Sequence, residues 1–443
     1  MLPRPVLAQQ GAPKGGNAKG GGGKGIPMAP LPDKPTAVTL PTQFEKVTGP
    51  GPFYDSAIAQ WPGYDMKHYN YVADEYFVAG TSNGKPYTTR LVIRRPADNS
   101  KFSGLVIAES MHPVGAGHGF ELTSVYTMSS GHIAAEILTS GNAVVGANNK
   151  ERYGKLQMSG DQVNDILAQV GALVRSKQGP LAGLAVRKMI LFGTSASSAV
   201  LVNYLPAHAI WRTPEMQHVY DGFLATSNGS NIPQTDVPLI QIPTQHEQEN
   251  IATARQDGDE PGNQYRDYEF AGVSHLDSRN NPRFTDKDCT NPRSNIPMEA
   301  FYSVALHHLF QWVDKGVTPP RADRVLIDRN KDNDGSLMAL DANGNAKGGI
   351  RTIYLDLAVA KYTARNTATP AAQATGGALG PALMCNLSVW TTPIPQAKLR
   401  TMYKSKANYV KMFDARLKEL EKAGWSLPVY HDLLLADAKK VEF

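Results

Sequence analysis

One serine stands where a short apolar run breaks into a string of small residues, Gly193-Thr-Ser195-Ala-Ser197. Met189 to Phe192 reads as a buried strand, and Ala199 to Leu205 is apolar at helical spacing. A strand that becomes a helix over so few residues must bend sharply, and only small side chains fit beside the bend. Ser195 sits at its apex. The pattern reads as a nucleophile elbow, which lifts a hydroxyl clear of a sheet edge and points a helix N-terminus at it. The usual form is G-x-S-x-G; here the last position is Ser197.

A serine hydroxyl attacks well only when a base takes its proton, and the base needs a carboxylate to fix its tautomer. The sequence supplies both downstream, each just after a strand. Val237–Ile242 leads to Pro243-Thr-Gln-His-Glu247-Gln-Glu249, and Tyr265–Ala271 leads to Gly272-Val-Ser-His275. Glu247 and Glu249 compete as the acid, and the offset from the strand favours Glu247. His275 is the expected base. His112, in the loop after an earlier strand, is a rival base, but its place suits an oxyanion loop better. His307 and His308 lie in a helical stretch and read as core or surface residues. Charge developing on a substrate carbonyl oxygen needs two backbone donors. The N–H of Ala196, directly after the nucleophile, is one, and Met111 in Ser110-Met111-His112 is the expected second. Such chemistry needs no cofactor and no metal.

The elements that must carry these groups follow in order. Asn70–Gly80 and Lys85–Arg95, parted by Ser82-Asn-Gly-Lys85, read as an antiparallel hairpin. Gly104–Ala108 reads as a buried strand and His112–Gly119 as a loop. Leu122–Leu138 reads as a helix, Ala143–Ala147 as a short strand and Asp161–Arg175 as an amphipathic helix. After the elbow come strands at Gly222–Ala225, Val237–Ile242 and Tyr265–Ala271. A leading hairpin followed by alternating strands and helices predicts an α/β fold. Its sheet is mostly parallel, with helices on both faces, and its ligand sits at the carboxyl ends of the strands.

Some 168 residues follow His275. Pro297–Val313 and Ala407–Ala423 read as helices, and Val325–Asp328 with Ile350–Asp356 as a hairpin. This extension, about 276–443, is expected to pack on the core and partly wall the site. Asn330-Lys-Asp-Asn-Asp-Gly335, ending at Asp341, resembles a calcium loop but has Asp at the twelfth position and no evident flanking helices; a polar turn is the better reading.

The chain has 443 residues, 41% hydrophobic and 19% charged, with net charge +5. Residues 1–35, rich in Gly and Lys, carry much of that excess and read as a flexible tether ahead of a globular part from 36 to 443. No basic stripe argues for nucleic acid, and no apolar run nears the ~20 residues of a membrane span. Pro5-Val-Leu-Ala-Gln-Gln resembles the tail of a signal peptide. Export would let the two cysteines, Cys289 and Cys385, pair rather than stay as buried thiols. The expectation is a secreted or periplasmic protein with that disulfide.

Several stretches together resemble the bacterial alpha/beta hydrolase domain family of secreted serine esterases. They are Asp74–Gly80, Glu151–Gly154, Gly193–Ser197, Gly272–His275, Phe310–Gly316 with Pro319-Pro320, and Gly344–Arg351. The resemblance runs from about residue 65 to the C-terminus. It implies the α/β-hydrolase fold and a Ser–acid–His triad, on Ser195, Glu247 and His275. Members often carry Gln where Ala196 stands, and an acid plus Asp where Gln245 and Glu247 stand. The function these observations point to is hydrolysis of a small or polymeric carboxylic ester through an acyl-enzyme. The alternative is a catalytically silent member of the fold that binds a ligand or partner.

Overall fold

The computed structural model describes residues 26–28, 34–248, 255–279, 285–328, 337–375 and 380–443. The expected tether over 1–25 and 29–33, Glu249, and positions 330–336 of the calcium-like loop lie outside the described residues. Asp341, at the end of that loop, accepts the N–H groups of Asn343 and Asn345 and pairs with Arg351 at 3.0 Å.

Among the described residues the main sheet has nine strands: β1 (Gln43–Lys46), β2 (Tyr71–Ser82), β3 (Lys85–Pro96), β4 (Leu105–Ser110), β5 (Ile133–Ile137), β6 (Lys188–Thr194), β7 (Gly222–Thr226), β8 (Leu239–Ile242) and β9 (Tyr265–Asp267). Their order is β9-β8-β7-β6-β4-β5-β3-β2-β1. The run from β9 to β5 is parallel, and β3, β2 and β1 add antiparallel edges. The β2–β3 hairpin turns at Asn83 and Gly84, both at positive φ (50° and 74°), as a two-residue primed turn requires.

Side chains of β6 alternate across the sheet. Met189 and Leu191 pack with helices α1 (Val163–Arg175) and α2 (Ala196–Ile210) on one face. Ile190 and Phe192 face the other, against α3 (Met298–Lys315). Both faces are thus covered, which is why the central strands read as continuous apolar runs. The C-terminal extension belongs to the second core: α4 (Pro381–Asn386) is followed by α5 (Lys406–Lys422) and α6 (His431–Lys440), and Tyr409, Phe413, Leu417 and Leu434 bury with the residues of α3.

Three expected elements differ. Leu122–Leu138 is a helix only over Ser124–Ser129; Gly131, at φ 70°, stops it, and Ile133–Ile137 becomes β5 between β3 and β4. Ala143–Ala147 is not a strand but part of a helix, Asn142–Asn148, of which only Val145 is buried. The hairpin at 325–356 does not form as expected. Val325 bridges Gly348, whereas Ile350–Arg351 pairs in parallel with Phe270–Ala271, and Ile353–Asp356 is helical. That last pairing splits the expected strand at Tyr265–Ala271 and fixes the extension beside the sheet.

Cys289 and Cys385 form a disulfide, with Cα atoms 5.6 Å apart and a sequence separation of 96. A loop of that length restricts the unfolded chain by about 4–5 kcal/mol in the chain-entropy account. Cys385→Ser is therefore expected to lower the melting temperature under oxidising conditions, and dithiothreitol to lower the wild type to nearly the same value; equal melting of all three would refute it.

Two buried histidines set an acid limit. Burial, aided by His307 and Arg187, pushes His132 down to about 3, and burial with His307 pushes His308 down to about 4. The unfolded chain protonates each near 6.5. It therefore binds protons first as pH falls, and stability drains from about pH 6.5 down through pH 4. Urea midpoints measured from pH 7 to 4 should fall over that window, and His308→Gln should flatten the slope.

Candidate active site

Strand β6 ends at Thr194, and α2 begins at Ala196, so one residue makes the corner. That residue, Ser195, holds φ 53° and ψ −121°, a conformation that side chains other than glycine rarely adopt. Its N–H donates to Thr226 O on β7 at 3.1 Å, which fastens the corner to the neighbouring strand. The backbone passes so close behind that a Cβ on Gly193 would lie 2.7 Å from Ser197 O and 2.8 Å from Ser198 Cα. Glycine is required there by space.

Ser197 explains the departure from G-x-S-x-G. It is fully buried, and its hydroxyl accepts the Thr194 N–H at 3.0 Å and donates to Thr194 O at 2.9 Å. The side chain that glycine would omit here becomes a clasp across the corner. Both hydrogen bonds concern the residue just before the serine.

Glu247 and His275 arrive from β8 and from just beyond β9. His275 Nδ1 lies 2.7 Å from Glu247 Oε1, and both side chains are buried. The other oxygen, Oε2, accepts the Thr244 N–H at 2.7 Å and the Thr244 hydroxyl at 2.9 Å. Thr244-Gln-His-Glu247 has capping-box spacing, but the Thr244 hydroxyl donates to the Glu247 carboxylate instead of accepting the Glu247 N–H, so both Thr244 donors aim the carboxylate from behind the imidazole. Burial alone would push the Glu247 carboxyl up. His275, through charge and hydrogen bond, together with His246 and the Thr244 N–H, holds it below the ordinary carboxylate value. At neutral pH it is an anion facing Nδ1. That leaves Nε2 as the free end of the ring.

Ser195, Ala196 and His275 line one cavity of about 370 Å³. Its walls are largely apolar, with Trp61, Leu122 and Met298 on the core side and Leu383, Met384 and Leu387 from around α4. Cys385 lies within that wall, so the disulfide anchors it. Glu299, on α3, also lines the cavity, and burial pushes its carboxyl up to about 7 although Val125 N–H, Ser124 and Tyr430 hydrogen-bond to it.

Ala196 opens α2, where first-turn N–H groups have no acceptor inside the helix. It borders the cavity, as an oxyanion donor must. Met111 does not serve. Its N–H donates to Ile137 O at 2.8 Å, because the ladder between β4 and β5 runs one residue past Ser110, and its side chain is fully buried. His112 N–H is likewise committed, to Ala116 O at 2.9 Å. The His112 ring lines the cavity but its Nδ1 faces the Val114 N–H at 3.3 Å. His307 and His308 lie elsewhere, bonded to the hydroxyls of Tyr126 and Tyr268.

Sequence reasoning missed Thr244 and His246. The T-x-x-E spacing is a legible signal for Thr244. His246 packs its ring 5.4 Å from that of His275, and burial, with His275 and Arg365, pushes it down to about 4, against the pull of Glu247. It is therefore neutral at physiological pH and adds bulk rather than charge. Among the described residues, two groups of side chains have donor atoms close enough to share an ion: His246, Glu247 and His275, and, separately, His208, His218 and Asp236.

Ser197→Ala leaves the buried Thr194 N–H unpaired, at a cost of about 1–3 kcal/mol. The denaturation midpoint should fall accordingly, and reaction of Ser195 with a fluorophosphonate should slow, since the corner loses its clasp. An unchanged midpoint would show that the clasp carries no stability.

The profile of the family described as alpha/beta hydrolase domain matches residues 36–436. No curated protein matches the chain. Solved structures with partial likeness include the esterase Est22 (10% identity, TM-score 0.28), with 41% of this chain and 67% of that one covered. Another is Est1E from Butyrivibrio proteoclasticus (8% identity, TM-score 0.25), with 38% and 78% covered. A third is a cold-adapted esterase from an Arctic intertidal metagenomic library (12% identity, TM-score 0.25), with 39% and 71% covered.

Proposed function

The chain belongs to the alpha/beta hydrolase domain family, and from that premise we propose that it is a serine hydrolase of carboxylic esters. Ser195 is the nucleophile, His275 the general base and Glu247 its carboxylate partner. One observation carries the reading: a serine held at φ 53° on a strand–helix corner shares a cavity with a histidine whose far nitrogen is 2.7 Å from a buried, ionised carboxylate.

The His275 Nε2 takes the Ser195 proton as Oγ attacks the carbonyl carbon. The imidazolium that forms is stabilised by Glu247, which stays ionised. The carbonyl oxygen gains charge and accepts the Ala196 N–H; such a donor typically contributes about 3–4 kcal/mol in the transition state. His275 returns the proton to the departing alcohol, leaving an acyl-serine. Water, activated by the same nitrogen, then releases the acid. The cavity of about 370 Å³ is near the small end of ligand pockets and is mostly apolar, which suits a small ester with an uncharged acyl group. The disulfide supports an oxidising, extracytoplasmic setting.

A fluorophosphonate probe should label the wild type and fail on Ser195→Ala. On nitrophenyl esters, His275→Ala should lower kcat/KM by about 10³-fold or more, and Glu247→Gln by about 10²–10⁴-fold. Glu249→Gln should change it little. Absence of wild-type labelling would instead mark a silent, ligand-binding member of the fold.

A further inference from the structure

At the opposite end of α2 from Ser195, two imidazoles converge on one carboxylate. His208, in the last turn of the helix, places Nε2 2.9 Å from Asp236 Oδ1, and His218 places Nε2 2.9 Å from Asp236 Oδ2. The ring centroids are 5.3 Å apart. From these contacts we propose that His208, His218 and Asp236 bind one divalent transition-metal cation, zinc foremost.

Two neutral imidazoles and a carboxylate suit zinc chemically, with water in the open fourth position. Ligands at about 2.0–2.1 Å from a tetrahedral ion lie about 3.4 Å from one another. The donor atoms of the three side chains all lie within 4.8 Å of one another, with each imidazole 2.9 Å from a different oxygen of Asp236, so a modest turn of the carboxylate would present one oxygen with both nitrogens to the ion. Two imidazoles on such an ion have ring centres about 5 Å apart, as these rings do.

The protons can be accommodated. To bind, each ring must offer the Nε2 lone pair and carry its proton on Nδ1. His208 is 1% exposed, and its Nδ1 has no hydrogen-bond partner among the described residues, so moving the proton there forfeits no hydrogen bond at that atom. The His218 side chain is one-third exposed, which gives an ion and its water a path in. The C-terminal turn of α2 adds the negative end of a helix dipole.

Arg212 opposes the ion. Its Nη2 is 3.3 Å from Asp236 Oδ2, while Nη1 donates to the His208 and Trp211 carbonyls at 2.9 Å each. The Nη1 anchors can persist while the longer contact to Asp236 gives way. The charge of Arg212 weakens binding without blocking it. An ion here would tie the far end of the elbow helix to the chain between 213 and 236, and would act on stability rather than on the reaction.

The test uses the full-length protein, stripped with EDTA and dialysed. Titration calorimetry with zinc chloride should give one site per chain, and zinc at a hundredfold excess over Kd should raise the melting temperature by a few degrees. His218→Gln, at a partly exposed position, should abolish both effects and leave ester hydrolysis without zinc unchanged; Asp236→Asn should do the same if it folds. His246, Glu247 and His275 are intact in both variants, so retention of binding and melting shift by His218→Gln would overturn the assignment. So would a wild type that binds no zinc.

Discussion

The structure depends on one backbone contortion. Ser195 occupies a region of φ/ψ space that costs on the order of 1–3 kcal/mol for a residue with a Cβ, and three neighbours hold it there. Thr226 takes its N–H from the adjacent strand, Gly193 makes room for the helix start, and Ser197 clasps Thr194 from the next turn. Relaxing any of them would let the corner open and drop the hydroxyl toward the sheet edge. Strain here is maintained by the buried parallel strands on either side, which tolerate little displacement because both of their faces are packed.

The residues proposed as partners of that serine come from strands that share its direction. Strands β6, β8 and β9 are parallel, so their carboxyl ends open on one edge of the sheet. Chain segments distant in sequence therefore deliver an alcohol, an imidazole and a carboxylate to one place. The carboxylate is not left to orient itself. Thr244 donates twice to Glu247 Oε2, through its N–H and its hydroxyl, and Oε1 is left to face His275. A carboxylate held by three donors is a charge fixed in place, and a fixed charge needs no reorganisation for a proton arriving on the neighbouring ring, as the proposed mechanism requires.

What could be read from the sequence was what local chemistry dictates. The hairpin was legible because Asn-Gly selects a two-residue primed turn. The corner was legible because only small residues tolerate it, and the contact between Glu247 and His275 because each residue follows a strand. Short apolar stretches were not. Leu122–Leu138 holds a helix and a strand back to back, and its division at Gly131 depends on β5 finding a slot between β3 and β4. Ala143–Ala147 is apolar but mostly faces outward, which no pattern of five residues reveals. Met111 was misplaced for a related reason: the ladder continues one residue beyond the apparent strand and engages its N–H.

The extension shows what the sheet alone lacks. Strand ends can gather catalytic groups, but they cannot enclose a substrate. Here Met298 and Glu299 begin α3, while Leu383 and Met384 lie on α4 and Leu387 caps it, and these close the cavity over the serine. A helix of six residues has little stability of its own, so a wall built on one needs an external restraint. The disulfide at Cys385 lies inside that wall, next to Met384, and its partner Cys289 lies on the chain leading into α3. The covalent restraint therefore acts on the part of the molecule with the weakest local preference for its shape. The central sheet, already held by two packed faces, gains little from it.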